Sequence, residues 1–344
     1  MRTARTRLTL AIPWIGAALF ATASRAWPQA PSVLRLPDGS TVEVLGLRRW
    51  TIGMLQDSLA KYAPGDSLQS HACAATLRYK LHFADASSAT FSFGQGKSDA
   101  VVVSVREPQD SARVHYRDLP LDTLSPRKAW APITAVFRRH PNVFWQELQK
   151  RMNVSPGRKP QYRTRADRML ALRFAATLDA LRRESDRLEA THVLATDANM
   201  YDRVAAALIL ANFVKRDDTW WSLVEALRES DGPVKGVAAT VLVGLSRNAP
   251  RAVNWSAKAT TLHAILDGTS LFVLDDLVQV LTHTGVSPTD APALIGNGGG
   301  EMLLEYLGSR TGSLASDSRA LLTALRGRDL GPDIEPWRVW MATL

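Results

Sequence analysis

The chain has 344 residues, of which 46% are hydrophobic, with 42 Lys and Arg against 33 Asp and Glu for a formal net charge of +9. Arg2, Arg5, Arg7 and Arg25 stand before residue 27 with no acid among them, so the remainder carries only +5, too mild to mark a nucleic-acid binder. One cysteine, Cys73, excludes an intramolecular disulfide framework, and a body of this length has enough apolar sequence for two domains.

Residues 1–26 read as a secretory signal peptide. Basic Arg2, Arg5 and Arg7 precede an uncharged apolar run from Leu8 to Ala23, and small-residue patterns follow at Ala21-Thr22-Ala23 and Ser24-Arg25-Ala26. The run is shorter than the ~20 residues that span a bilayer, and Pro13 interrupts it. This predicts a periplasmic or secreted protein with no transmembrane span after cleavage; retention of the leader as an anchor is the alternative.

Residues 31–121 predict a small α+β domain. Thr41–Gly46 alternates after the turn Pro37–Ser40 and reads as a strand. Thr51 is placed to cap a helix running to Tyr62. A second helix is expected over Asp66–Leu81 with Asp66 as its cap, because Leu68, Ala72, Ala75 and Tyr79 recur at three- and four-residue steps. Thr90–Phe93, Ala100–Val105 and Arg113–Arg117 read as further strands of an antiparallel run.

After the linker Leu121–Pro126 the pattern is helical nearly to the end: a basic connecting segment over 122–186, then repeated helices over 187–344. Val204-Ala-Ala-Ala-Leu-Ile-Leu-Ala211 lies over Val237-Ala-Ala-Thr-Val-Leu-Val-Gly244 at a spacing of 33 residues, with Leu194 over Leu227. Each unit is a helix, a polar turn and an alanine-rich second helix. A third unit follows over Thr261–Leu277, and Met302–Leu307 with Ser318–Leu325 makes a fourth.

Asp231-Gly-Pro-Val-Lys-Gly-Val-Ala-Ala-Thr-Val-Leu242 resembles the second-helix signature of HEAT-type repeats, in the short phycobilisome-lyase-like form, over about 188–245 with a weaker extension to about 325. In that family an Asp/Pro turn leads into a Val-Arg/Lys step, paired alanines and a leucine face. The stretch from Asp197 to Leu208 follows the pattern less closely, with Arg203 before Val204. The resemblance implies a mainly α chain ending in an α-solenoid that binds other proteins; it implies no catalytic activity and no cofactor.

Two features are candidate contacts. Trp130–Arg183 is strongly basic, and Arg158, Lys159, Arg163 and Arg165 cluster within it. A solvated helix face is the ordinary reading; a patch for an acidic partner or an anionic membrane is the alternative. Trp220-Trp221 opens the first helix of a repeat, where helix packing is the default and an exposed aromatic anchor the alternative.

Catalytic motifs are scarce. Gly96-Lys97-Ser98 imitates the end of a phosphate loop, but Phe91 stands where that loop needs glycine, so a hairpin turn is expected. Gly296-Asn-Gly-Gly-Gly300, without an adjacent cation, reads as a flexible loop between repeats. The seven histidines make no zinc pattern. An enzyme of unknown reaction, drawing on His71, Cys73, His82, Asp85 and His115 of the α+β domain, is the second functional hypothesis. Cys73 and His71 would share a face on a strand, but on a helix they lie about 200° apart, which makes Cys73 a packing residue.

Overall fold

The stretch Ala100–Arg106 lacks the alternation of a half-exposed strand, and it is buried along its whole length. The computed structural model describes residues 32–36, 39–70, 72–91, 100–125, 127–154, 157 and 159–344. The leader, Pro37 and Asp38, His71, the Gly96–Ser98 turn and Arg158 therefore lie outside the described residues. In this structure the strands are β1 (Ser32–Arg35), β2 (Thr41–Leu45), β3 (Asp85–Phe91) and β4 (Ala100–Arg106), in the order β1-β2-β4-β3. The outer pairs are antiparallel, but β2 and β4 run parallel, so the expected antiparallel run is a mixed sheet.

Both faces of the sheet are covered, which is why β4 is apolar throughout. Helices α1 (Ile52–Tyr62) and α2 (Cys73–Tyr79) bury Leu55, Leu59, Cys73 and Leu77 against Val101, Val103 and Val105. Leu45 and Val102 belong to the core of the C-terminal helices on the other side. Thr51 caps α1, its hydroxyl accepting from the Met54 N–H at 3.2 Å. The second helix is shorter than its periodicity suggests. Asp66 does not cap it; its carboxylate accepts a 2.6 Å hydrogen bond from the Thr76 hydroxyl inside the helix.

The rest is helical: α3 (Ala131–Arg139), α4 (Pro141–Arg151), α5 (Arg165–Ala180), α6 (Glu184–Thr196), α7 (Met200–Leu210), α8 (Asp217–Ala226), α9 (Gly232–Asn248), α10 (Ala259–Leu266), α11 (Leu274–Thr284), α12 (Ala291–Ile295), α13 (Glu301–Leu307), α14 (Gly312–Arg326) and α15 (Ile334–Met341). The chain is thus mainly α with a small four-stranded sheet near its N-terminal end. Among the described residues, no helix is long and apolar enough to cross a membrane.

Helices α7, α9, α11 and α14 pack side by side in chain order, with α6 on α7, α8 on α9 and α13 on α14. The alanines at the repeated positions explain the close stacking. Ala205, Ala206, Ala238 and Ala239 are at most 1% exposed, and a larger side chain would push the helices apart. Gly244 serves the same end, since a Cβ there would lie 2.4 Å from the Met152 Cβ, just past α4. Gly299 and Gly300 correct the reading of their stretch as a flexible loop. A Cβ on Gly299 would meet His263 at 2.4 Å, one on Gly300 would meet Met341 at 2.1 Å, and the Gly298 carbonyl accepts from Arg113. Those glycines permit close packing.

Arg113–Arg117, expected as a strand, joins no sheet. The chain from Arg113 to Asp122 instead runs as a strap over the turns inside successive helix pairs, in reverse order. Arg113 reaches Asp267 after α10. The His115 N–H donates to the Thr269 hydroxyl at 2.9 Å, and the His115 carbonyl accepts from Arg228 at 2.9 Å. Arg117 donates to the Leu194 carbonyl at 2.7 Å and pairs with Glu229 after α8. Asp122 forms a bridge with Asp197 after α6. Four or five extended residues cover ~13–17 Å, enough to step between helices packed ~8–10 Å apart. The backbone groups of Arg113, His115, Arg117 and Asp122 that bond do so with these turns and not with a strand.

Candidate functional site

The aromatic pair divides. Trp220 is fully buried, its indole N–H donating to the Val214 carbonyl at 2.8 Å and its ring standing edge-on to Trp255. Its surface is spent inside the fold, which removes it as an exposed anchor. Trp221, one helical step of about 100° away, is half-buried, and its N–H donates to the Asn254 carbonyl at 2.8 Å.

The basic segment divides as well. Arg151 and Arg182 both hold Asp179, and Lys150 lies 3.4 Å from Glu147. Lys159, Arg163, Arg165, Arg168 and Arg173 are exposed, and none has an acidic partner among the described residues. The structure places Arg165 in the first turn of α5. That end is fixed by a capping box, in which the Thr164 hydroxyl accepts from the Asp167 N–H and the Asp167 carboxylate accepts from the Thr164 N–H. Just before it, Lys159, Tyr162 and Arg163 line a cleft of about 940 Å³ with Gln146, Gln149 and Lys150 from α4. Tyr162 donates to Glu147 across this cleft, anchoring the loop.

The largest charged constellation was not foreseen from sequence. It joins the sheet to the C-terminal helices. Arg48 Nη1 lies 2.5 Å from Glu305, Arg106 Nη1 lies 3.5 Å from Glu301, and Arg113 Nη1 lies 2.7 Å from Glu301. Arg106 also donates to the Asp267 carbonyl at 2.6 Å. Burial pushes the Glu301 carboxyl up, but Arg113 and Arg106 outweigh it and hold it below the ordinary range. Around this cluster Glu43 accepts from the Ser309 hydroxyl at 2.6 Å and the Arg310 N–H at 2.8 Å, while Asp85 accepts from the Leu271 N–H at 2.7 Å. These groups fix the sheet to the helices: Arg48, Arg106 and Arg113 are paired with Glu301, Glu305 and Asp267, and Glu43 is held by hydrogen bonds. The signal in sequence is faint: Glu43, Ser104 and Arg106 are polar residues inside strands that are otherwise mostly apolar.

The described residues of the enzyme hypothesis, Cys73, His82, Asp85 and His115, do not converge. Cys73 is fully buried and contacts the Leu68 carbonyl at 3.7 Å, and burial pushes its thiol up. Asp85 is held by the Leu271 N–H and lies 3.4 Å from Arg78. Among the described residues, no hydrogen bond joins any two of Cys73, His82, Asp85 and His115.

One pair of acids is left without such matching. Asp275 and Asp276 stand in the first turn of α11, where Asp275 receives a 3.3 Å hydrogen bond from Gln279. Burial, together with neighbouring Asp317, pushes Asp275 up to about 6; burial, together with Asp275, pushes Asp276 up to about 7, and Arg247 only partly opposes this. A carboxyl raised on folding binds more protons in the native than in the unfolded state, so the contribution of this pair to stability is full below about pH 4, falls as pH rises from there to about 7 and is level above it. Asp276→Asn is expected to flatten that decline and to raise stability at pH 8, where the parent must hold the buried carboxylate charged. Urea unfolding of parent and variant across pH 4–8 checks it; parallel curves would reject the assignment.

Comparison with protein-family models, with curated proteins and with solved structures returns no match for this chain.

Proposed function

We propose that the chain is an exported protein-binding scaffold whose C-terminal helix pairs form a HEAT-like α-solenoid. The observation that carries this reading is the ordered stack of α7, α9, α11 and α14, with α6, α8 and α13 packed on α7, α9 and α14 and with fully buried alanines at the repeated positions of α7 and α9. Stacked pairs of this kind make a long, continuous surface, which suits an extended protein partner better than a small substrate. The strap occupies the turns along one edge, so the partner is expected on the surfaces it leaves open, where Trp221 is partly exposed.

Among the described residues of the sheet domain, no hydrogen bond joins any two of Cys73, His82, Asp85 and His115, which favours the scaffold reading over the enzyme hypothesis. Chemical crosslinking of the full chain in its native compartment, followed by titration of the captured protein against purified chain, tests it. The expected result is a partner that binds saturably and is displaced by excess unlabelled chain. Capture that neither saturates nor competes would overturn the scaffold function while leaving the helix stack untouched.

A further inference from the structure

We propose that the outward face of α5 docks on an anionic phospholipid bilayer, with Arg165, Arg168 and Arg173 meeting lipid phosphates and Met169 and Leu172 entering the headgroup boundary. Advancing about 100° per residue, positions 165, 168, 169, 172, 173 and 176 share one arc of roughly 140°. All six are exposed, and Met169 and Leu172 are 45% and 55% exposed despite their apolar chemistry. Ala171, Phe174 and Leu178 point the opposite way into the core, so α5 cannot turn this face inward.

The charge on the arc is uncompensated. Its one acid is Asp179, near the C-terminal end, which Arg151 and Arg182 both hold at 3.0 Å. Elsewhere arginines are spent on carboxylates, as Arg48, Arg106, Arg113, Arg117, Arg187 and Arg203 are. Helix stability does not account for the cations on α5 either. Arg165 and Arg168 stand at its N-terminal end, where the helix dipole disfavours positive charge, and Arg163 lies just before the cap. Three cations within ~12 Å of helix, interleaved with two raised apolar side chains, match the lipid interface in both charge and polarity.

An acidic protein would satisfy the cations as well. Shape favours the bilayer: the outer arc of a single helix is a ridge, whereas peptide segments are taken up in grooves or along strand edges. A bilayer surface deforms around a ridge and gives Met169 and Leu172 an apolar layer to enter.

The test uses the full chain, with the leader present in every sample. Ala176→Cys puts a thiol on the same face for an environment-sensitive fluorophore, and the native Cys73 is buried and does not compete for label. The dye is expected to shift to the blue with vesicles of phosphatidylcholine containing phosphatidylglycerol and to stay unchanged with phosphatidylcholine alone. Combining Arg165→Gln, Arg168→Gln and Arg173→Gln is expected to weaken that response about 100-fold at low ionic strength, since each basic residue near an anionic surface adds about 1 kcal/mol. Circular dichroism should be unchanged, because these side chains have no hydrogen-bond or ion-pair partner among the described residues. No shift with anionic vesicles, an equal shift with both compositions, or an unaltered response in the triple variant would each overturn the proposal. Binding to polyglutamate without a vesicle response would overturn it in favour of an acidic polypeptide partner.

Discussion

Arg106→Met is expected to lower the free energy of unfolding by about 3–5 kcal/mol, the range for removing one partner from a buried ion pair. Arg106 is 0% exposed, and its guanidinium bridges β4 to the Asp267 carbonyl and the Glu301 carboxylate. Methionine matches its reach but leaves Glu301 with less counter-charge in a place from which water is excluded. Arg113 remains 2.7 Å from that carboxylate, so the lower end of the range is the better guide. Urea denaturation with a probe in each body is the measurement. Adding Glu301→Gln should restore part of the loss, because the orphaned charge is then gone. A midpoint equal to the parent's would show that the cluster contributes nothing to holding the sheet on the helices.

The second large effect is expected inside the stack. Val237→Asp should cost at least about 4 kcal/mol, because a carboxylate with no partner must be desolvated there. Val237 is 0% exposed in the middle of α9, which packs against α7, α8 and α11. Two residues earlier Lys235 is also buried, but its ammonium lies 5.0 Å from the centre of the Tyr116 ring, so that charge is accommodated. Val237 belongs instead to the apolar core of the helices. Loss of the cooperative transition, or a large fall in its urea midpoint, is the expected readout. A parent-like curve would mean that this face of α9 is misassigned.

How much of this was legible beforehand depended on the range of the interaction. The Thr51 cap, the strands at Thr41 and Ala100, and the alanine-rich second helices all rest on residues a few positions apart, and each stands close to where periodicity puts it. Asp66 failed as a cap because a longer-range partner, Thr76, took its carboxylate. Arg113–Arg117 failed as a strand because its partners are turns far along the chain. The same reason hid the charge cluster. Arg48 and Glu305 are 257 positions apart, and nothing in the sequence near either announces the other. Trp220 and Trp221 look alike in sequence; only the helices around them decide which one is enclosed.

The strap has a consequence for how the molecule comes apart and how it is made. A simple stack of helix pairs is held only by neighbours, so it frays from an end and bends like a spring. Here one continuous chain is stitched to three pairs in turn, so no pair is released without loosening the others. The stitches also join early residues to late ones: Asp267 follows Arg113 by 154 positions. A chain emerging N-terminus first must hold the Arg113–His115 end of its strap open until α10 has been made, which slows closure in the way long-range contacts do. Arg117 can close on Glu229 once α8 is made, whereas Arg113 waits for Asp267 after α10 and for Glu301 of α13, so the strap is sewn down from its far end towards the sheet.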